Sequence, residues 1–153
     1  IFVHGRTREQ GYGGDIDHAS IKAIKDAVGI PVIGGGNIFS PELAKKMFTE
    51  TGCDGIFVAR GAFGNPWIFN DIERYLKTGK LPSPVSAETR KEVLEKHLSY
   101  IETYKEMRPA SRVNCMRKAV IWYVKSLPHA SRIRDTACRA RSYEEMVDIV
   151  DKI

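Results

Sequence analysis

The 153-residue sequence lacks the apolar runs of a membrane protein and has few of the residues that disulfide frameworks or metal sites need. A membrane-spanning helix takes about 18 or more consecutive apolar residues, and no stretch of the sequence comes close to that length. The three cysteines cannot all pair, so we expect reduced thiols in packing positions, a cytoplasmic location and no cysteine nucleophile. The four histidines share no ligand spacing, and we therefore expect no metal site.

The sequence also has no initiator methionine and opens directly in strand-like residues, Ile1–His4. We therefore expect the chain to be a piece of a longer protein. Any function inferred from its residues would belong to that parent protein, which we expect to be monomeric.

Acidic residues are scarce in one part of the chain. The net charge of the whole sequence is +5, but residues 105–141 contain ten lysine and arginine residues and two acidic ones. A local excess of this size favours a polyanionic partner. A solvated helix surface that keeps the domain soluble would show the same composition, so charge alone leaves both interpretations open.

In residues 1–79, short and continuously apolar segments alternate with amphipathic ones, which is typical of parallel strands covered by helices. Asp17 and Ser40 are predicted to cap the first two helices, and Gly29, Gly52 and Gly79 to end all three. The predicted strands cover 1–4, 30–33 and 55–59, and the predicted helices cover 18–28, 41–51 and 66–77. Three such units fit part of a (β/α)8 barrel or of a doubly wound sheet.

Residues 80–86, with two prolines and little apolar content, are predicted to be a linker. Apolar residues then recur at helical spacing through residues 87–153, which predicts a small helical bundle. The predicted helices cover 87–107, 109–127 and 130–140, and a last helix follows the capping-box pattern that begins at Ser142. Trp122 and Tyr123 fit core positions better than exposed stacking positions.

The loops that follow the predicted strands have the composition of a ligand site, since parallel sheets bind ligands at the carboxyl ends of their strands. Residues 34–37, Gly-Gly-Gly-Asn, offer uncovered backbone amides beside a helix start, although a flexible turn would look the same. Arg60, after the third strand, adds a guanidinium suited to phosphate. His4 ends the first strand and is followed by Arg6 and Arg8, which favours a ligand contact.

Several segments together resemble the tRNA-dihydrouridine synthases. They are His-Gly-Arg-Thr-Arg at 4–8, Ile-Pro-Val-Ile-Gly-Gly-Gly-Asn-Ile at 30–38, Gly-Ile-Phe-Val-Ala-Arg-Gly-Ala at 55–62 and Gly-Asn-Pro-Trp-Ile-Phe at 64–69. In the second half, Met-Arg-Lys at 116–118 and Trp-Tyr-Val-Lys at 122–125 resemble the signature of that family's helical domain. The resemblance covers nearly the whole chain, in order and with compatible spacing.

The resemblance implies the last three units of a TIM barrel that binds FMN, followed by a helical domain that binds tRNA. The family reduces uridine in tRNA to 5,6-dihydrouridine, and NADPH re-reduces the flavin. The target base must leave its stack to reach the flavin. The proton-donating cysteine and a flavin-contacting lysine belong to barrel units outside this sequence, so we expect no catalytic residue here and no activity of the fragment alone.

By position, the flavin contacts that the resemblance implies fall on His4, Gly35, Gly36, Asn37, Ala59 and Arg60. The implied RNA-phosphate contacts fall on Arg117 and Lys118. The sequence departs from the family pattern at four of its positions: Gly35 replaces an asparagine, Asn37 an aspartate and Ala59 a glycine, and Ala119 stands where a histidine often follows the basic pair.

Two other functions remain open from the residues alone. A different FMN- or phosphate-binding barrel oxidoreductase acting on a small molecule would explain the glycine loop and Arg60, but not the basic helical half. A non-catalytic RNA-binding module would explain the charge, but not a histidine, a glycine loop and an arginine at neighbouring strand ends.

Overall fold

The computed structural model describes residues 1–125 and 127–153. In this part of the chain it has a three-stranded parallel sheet and seven α-helices, which confirms the predicted α/β class. The structure divides into two compact units. Unit 1 contains Ile1–Ala62 and Pro66–Pro82, and unit 2 contains Phe63–Asn65 and Ser83–Ile153.

Unit 1 consists of three strands, each followed by helical structure. In chain order its elements are β1 (Phe2–His4), α1 (His18–Ala27), β2 (Ile33–Gly35), α2 (Pro41–Thr51), β3 (Gly55–Phe57), a 3₁₀ turn (Arg60–Ala62) and α3 (Ile68–Thr78). The strands are parallel and lie in the order β1-β2-β3. Each row across the sheet therefore joins one residue from every strand, and the last row joins His4, Gly35 and Phe57.

One face of this sheet supports the core of unit 1. Val3 and Ile56 pack against a buried cluster drawn from all three helices and the segments between them: Ile21, Val32, Ile38, Ala44, Met47, Cys53, Ile68 and Ile72. Because side chains alternate along a strand, Phe2 and His4 point to the opposite face. Phe2 is 74% exposed there, so α1, α2 and α3 pack on one face of the sheet only.

The helix ends of unit 1 follow the predicted local signals. Asp17 accepts a hydrogen bond from the Ser20 N–H at 2.9 Å, and Ser40 caps α2 through the Leu43 N–H at 3.4 Å. Gly52 and Gly79 end α2 and α3 in the left-handed conformation that glycine adopts without steric cost. The prediction for α1 was wrong by one residue, because Val28 is already extended and ends the helix before Gly29.

The second strand lies three residues later than predicted, at Ile33–Gly35 instead of 30–33. Pro31 has no N–H for a sheet, and the Val32 N–H donates to the Asp54 carboxylate at 2.7 Å. Lys25 binds the same carboxylate at 2.7 Å, and these two interactions hold the pKa of Asp54 below its usual value. The third strand ends at Phe57 rather than residue 59, and α3 begins at Ile68 rather than residue 66.

Unit 2 is helical, as predicted. Its helices are α4 (Ala87–Tyr104), α5 (Pro109–Tyr123), α6 (Ala130–Arg139) and α7 (Tyr143–Val150). Its core is formed by buried apolar residues of all four helices, among them Leu94, Leu98, Met116, Val120, Ala137, Met146 and Val150. No helix in the described part of the chain is long and apolar enough to cross a membrane.

Two helices of unit 2 end earlier than predicted. The fourth helix ends at Tyr104 instead of residue 107, and α5 ends at Tyr123 instead of residue 127. The predicted last turn of α5 includes Ser126, which lies outside the described residues. Tyr123 is 3% exposed and is a core residue, as predicted. Trp122 is half-buried and stacks on Phe63, with ring centroids 4.3 Å apart.

His97 lies on α4 with its ring edge-on to Tyr123, 5.8 Å between centroids. Burial lowers the pKa of His97, and the positive charge of Lys105 lowers it further. A histidine with a lowered pKa in the folded state binds fewer protons than the same residue in the unfolded chain below pH of about 6.5. The free energy of unfolding therefore decreases as the pH falls through this range.

We expect an NMR titration of the imidazole protons to place the His97 pKa below 6.5, and Lys105→Gln to raise it because a nearby positive charge is removed. Lys80→Gln removes the same charge from an exposed turn and serves as the control. A His97 pKa at or above 6.5 in the native protein would contradict the assignment.

Candidate functional site

The carboxyl ends of the three strands place His4, Gly35 and Phe57 in one row. The Phe57 ring lies across the middle strand. A Cβ added to Gly35 would fall 2.2 Å from the carbons of this ring. This ring reaches toward His4, with centroids 6.3 Å apart. Glycine at position 35 therefore leaves room for an aromatic ring to pass over the strand, a reason that the sequence does not reveal.

The glycine loop is shorter than predicted. Gly34 and Gly35 belong to β2 and are paired on both sides, so only Gly36 and Asn37 of this run lie in the loop. Gly36 has φ +134° and Asn37 has φ +49°, conformations that glycine and asparagine tolerate better than most residues. A Cβ on Gly36 would lie 2.4 Å from Ile16, which shows how closely the β1–α1 loop packs here.

Two arginines converge on the Asn37 side chain. Its Oδ1 accepts from Arg60 Nη2 at 2.8 Å and from Arg6 Nη1 at 3.2 Å. Arg6 also donates to the Gly14 carbonyl. The amide of Asn37 is neutral, and no carboxylate pairs with either arginine among the described residues. The arrangement therefore brings two positive charges together without cancelling them.

The surroundings of the two guanidinium groups fix their positions and leave donor capacity unused. Arg60 lies 4.3 Å from the centre of the Tyr12 ring and 5.4 Å from that of Phe39, both within cation–π range. The Nε of Arg6 is buried and has no hydrogen-bond partner among the described residues. A buried donor without a partner is costly, and a phosphate oxygen would satisfy it. These residues fit the phosphate of a bound ligand.

Gly61 fixes the turn that carries Arg60. A Cβ at this position would lie 1.9 Å from the backbone oxygen of Ile38, which is too close for any side chain. The 3₁₀ turn Arg60–Ala62 therefore packs directly on the loop that follows Asn37. The Arg-Gly pair in the sequence thus combines the guanidinium that Asn37 binds with the glycine that lets its backbone approach.

The basic pair of α5 separates into two different environments. Arg117 donates to the Ala140 carbonyl, which follows α6, from Nη2 at 2.6 Å and from Nε at 3.2 Å, and to Asn114 Oδ1 at 3.0 Å. Lys118 is exposed. Arg117 thus ties α5 to the end of α6 by satisfying a carbonyl there.

Most of the remaining basic side chains of residues 105–141 face solvent. In this set Arg112 forms an ion pair with Glu102 at 3.3 Å. Eight others are exposed and have no carboxylate partner in the described ranges: Lys105, Arg108, Lys118, Lys125, Arg132, Arg134, Arg139 and Arg141. No group of histidine, cysteine or acidic residues in residues 1–125 and 127–153 could hold a metal ion.

Comparison with known protein families shows where this chain belongs. The family model described as dihydrouridine synthase (Dus) matches residues 1–153. The chain belongs to the dihydrouridine synthase family. This result confirms the resemblance stated above.

Curated relatives support this assignment. The chain is 40% identical over 153 residues to tRNA-dihydrouridine synthase B of Pseudomonas syringae pv. tomato, a match covering 95% of this chain and 44% of that protein. It is 38% identical to probable tRNA-dihydrouridine synthase 1 of a Synechocystis strain, covering 99% of this chain and 42% of that protein. The chain thus spans less than half the length of these relatives.

Of the site residues predicted in this dihydrouridine synthase family chain, the structure joins Asn37 and Arg60 directly and places His4 and Gly35 in one row. Ala59 is exposed beside Arg60, and Gly36 precedes Asn37 in the loop. Sequence reasoning missed Tyr12, Phe39 and Phe57. Strand alternation could have placed Phe57 on the open face of the sheet, but no local signal brings Tyr12 to Arg60.

We expect Gly61→Ala to displace the Arg60 turn and to destabilise the protein by about 1–3 kcal/mol, the usual range for overpacking. Gly29→Ala is the matched control, since a Cβ there meets no atom within 4 Å. Chemical denaturation of both variants measures the difference. Equal stability of the two would show that the Ile38 backbone yields to the added methyl group.

We expect Arg117→Gln to lower the free energy of unfolding by about 1–3 kcal/mol, because it removes charged hydrogen bonds to the Ala140 carbonyl. Lys118→Gln, which removes one exposed charge from the next position, should change stability by less than about 0.5 kcal/mol. Denaturation curves of the two variants test this contrast. A loss of stability in Lys118→Gln as large as in Arg117→Gln would contradict it.

Proposed function

We propose that this chain is part of a flavin-dependent tRNA-dihydrouridine synthase, which reduces uridine in tRNA to 5,6-dihydrouridine with FMN and NADPH. The observation that carries the proposal is the pair of arginines held at the strand ends by Asn37, in a chain whose whole length matches the dihydrouridine synthase family. Because the chain covers less than half of its curated relatives, the remaining part of the enzyme would supply the proton-donating cysteine.

The arrangement of unit 1 supports a (β/α)8 barrel in the complete enzyme. Its three strands lie in sequence order, and its helices pack on one face of the sheet, whereas a doubly wound sheet has helices on both faces. The open face carries Phe2 and Phe57, and barrel interiors are filled by such side chains. We assign residues 1–79 to the barrel, 80–86 to a linker and 87–153 to a helical tRNA-binding domain.

In this assignment Arg6 and Arg60 bind the FMN phosphate, and backbone amides of Gly36 and Asn37 lie at the same loop. Guanidinium groups bind phosphate through paired, charge-assisted hydrogen bonds, which fix orientation as well as affinity. His4 ends β1 and Ala59 lies two residues after the end of β3, where they would contact the same ligand. The bound flavin supplies the hydride chemistry, and these residues position it.

The exposed cations of unit 2 support tRNA as the partner. Eight exposed basic side chains on one segment, none with a carboxylate partner among the described residues, attract a polyanion and release its counterions on binding. Lys118 is free to contact a phosphate, whereas most of the hydrogen-bonding capacity of Arg117 is used inside the helical unit. We therefore assign Lys118 as the direct contact of the pair and Arg117 as a contact made by its remaining donors.

The decisive experiment uses the longest natural protein that contains residues 1–153. We expect it to purify with a flavin absorption spectrum that bleaches on addition of NADPH, and to form dihydrouridine in unmodified tRNA. A colourless protein that cannot be reconstituted with FMN would contradict the proposal. Salt-dependent RNA binding in such a protein would indicate the non-catalytic RNA-binding module instead.

We expect Arg60→Gln to weaken FMN binding by about tenfold to a hundredfold, since a charged hydrogen bond contributes roughly 1.5–3 kcal/mol. Arg8→Gln removes the same charge from the exposed β1–α1 loop and should leave FMN affinity within about twofold. Fluorescence titration of apoprotein with FMN measures both affinities. Equal weakening in the two variants would mean that the loop acts through its net charge alone.

A further inference from the structure

A cavity lies within unit 2. It has a volume of about 600 Å³ and is formed by α6, α7 and the start of α4. Its walls combine three isoleucines, Ile133, Ile149 and Ile153, with the cationic side chains of Arg132 and Lys152. Ligand pockets of roughly 300–1,000 Å³ with apolar walls and a few polar groups are typical of small-molecule sites.

The charges around this cavity are of one sign. No carboxylate residue lines it, and neither Arg132 nor Lys152 forms an ion pair within the described residues. The acid next to Lys152 in the chain, Asp151, is paired with Lys91 at 3.5 Å. The cavity therefore offers two uncompensated cations beside an apolar wall.

The backbone adds to this preference for an anion. The first turn of α6 forms part of the wall through Arg132 and Ile133, and His129 precedes the helix in a left-handed conformation with φ +59°. Within residues 1–125 and 127–153 no side chain caps α6, so its N-terminal amides have no side-chain acceptor there. The positive end of the helix dipole and these amides favour an anionic group in the same place as the two cations.

We propose that this cavity binds a nucleotide, with its phosphate on Arg132 and Lys152 and its base against the isoleucines. A nucleotide fits an apolar wall next to a phosphate site better than a bare anion does, because only the nucleotide has a base to place against the wall. The exposed cations Arg134 and Arg139 on the same helix favour an RNA strand as the source. The assignment of RNA as the source of the nucleotide rests on the proposed tRNA function. A free nucleotide would offer the cavity the same chemistry.

The test measures the binding of uridine 5′-monophosphate and, separately, of an unmodified tRNA transcript to the longest natural protein that contains this chain. Arg132→Gln removes a cavity cation, and Thr136→Trp fills the cavity from its lining without changing charge. Lys96→Gln is the matched control, because it removes an exposed charge from α4 that neither lines the cavity nor belongs to the basic segment 105–141. Circular dichroism confirms that each variant is folded.

We expect Arg132→Gln and Thr136→Trp to weaken uridine monophosphate binding by about tenfold, and Lys96→Gln to leave it within about twofold. Matching losses of tRNA affinity would identify an RNA nucleotide as the ligand, and a loss confined to the monophosphate would identify a free nucleotide. If Thr136→Trp fails to fold, Lys152→Gln compared with Lys96→Gln provides the same contrast.

The proposal is overturned if the wild-type protein binds neither probe. It is also overturned if the cavity variants keep both wild-type affinities, or if Lys96→Gln weakens binding of either probe as much as Arg132→Gln. The monophosphate titration requires neither FMN nor catalysis. Failure of the flavin test would therefore leave the nucleotide cavity to be judged on its own results.

Discussion

The candidate site depends on one amide oxygen that accepts hydrogen bonds from two arginines. Asn37 Oδ1 brings Arg6 and Arg60 together, and like charges at such separations repel each other. A carboxylate in its place would cancel one of the two positive charges, whereas the neutral amide orients both groups and leaves both charges in place. The surrounding loops offset the repulsion through the Gly14 carbonyl and the aromatic rings beside Arg60.

The same region depends equally on side chains that are missing. The ring of Phe57 occupies the space above Gly35, and the Ile38 carbonyl occupies the space beside Gly61. Each glycine thus allows a neighbour from another strand or loop to approach within contact distance. Glycine-rich loops at strand ends are commonly interpreted as flexible segments or as phosphate-binding loops. Here close packing accounts for at least two of the glycines.

Local features of the fold could be predicted from the sequence, and features that depend on distant residues could not. The caps at Asp17 and Ser40 are set by residues within one turn, and both were predicted. The start of β2 was not, because it depends on a carboxylate that lies 22 residues further along the chain. The same limit applies to α5, whose end could not be placed from its apolar spacing.

The site shows the same division. Parallel strand ends share one edge of the sheet, so Asn37 and Arg60 could be assigned to one site, but their direct hydrogen bond could not. The cation–π contact with Tyr12 depends on how a glycine-rich loop folds back, which the composition of that loop does not determine. The resemblance to the family predicted that Arg117 contacts RNA phosphates. Only the structure shows that Arg117 donates hydrogen bonds to the Ala140 carbonyl, 23 residues away.

The division of the chain between its two units has a consequence for recombination within the family. Residues 63–65 belong to the helical unit, although residues 66–82 return to the sheet unit. The backbone carbonyl of Gly64 accepts from Arg90, and a Cβ on Gly64 would lie 2.4 Å from the Trp122 backbone. A chimaera joined at residue 83 would therefore inherit this tripeptide from the wrong parent, so the module that is exchanged must be discontinuous.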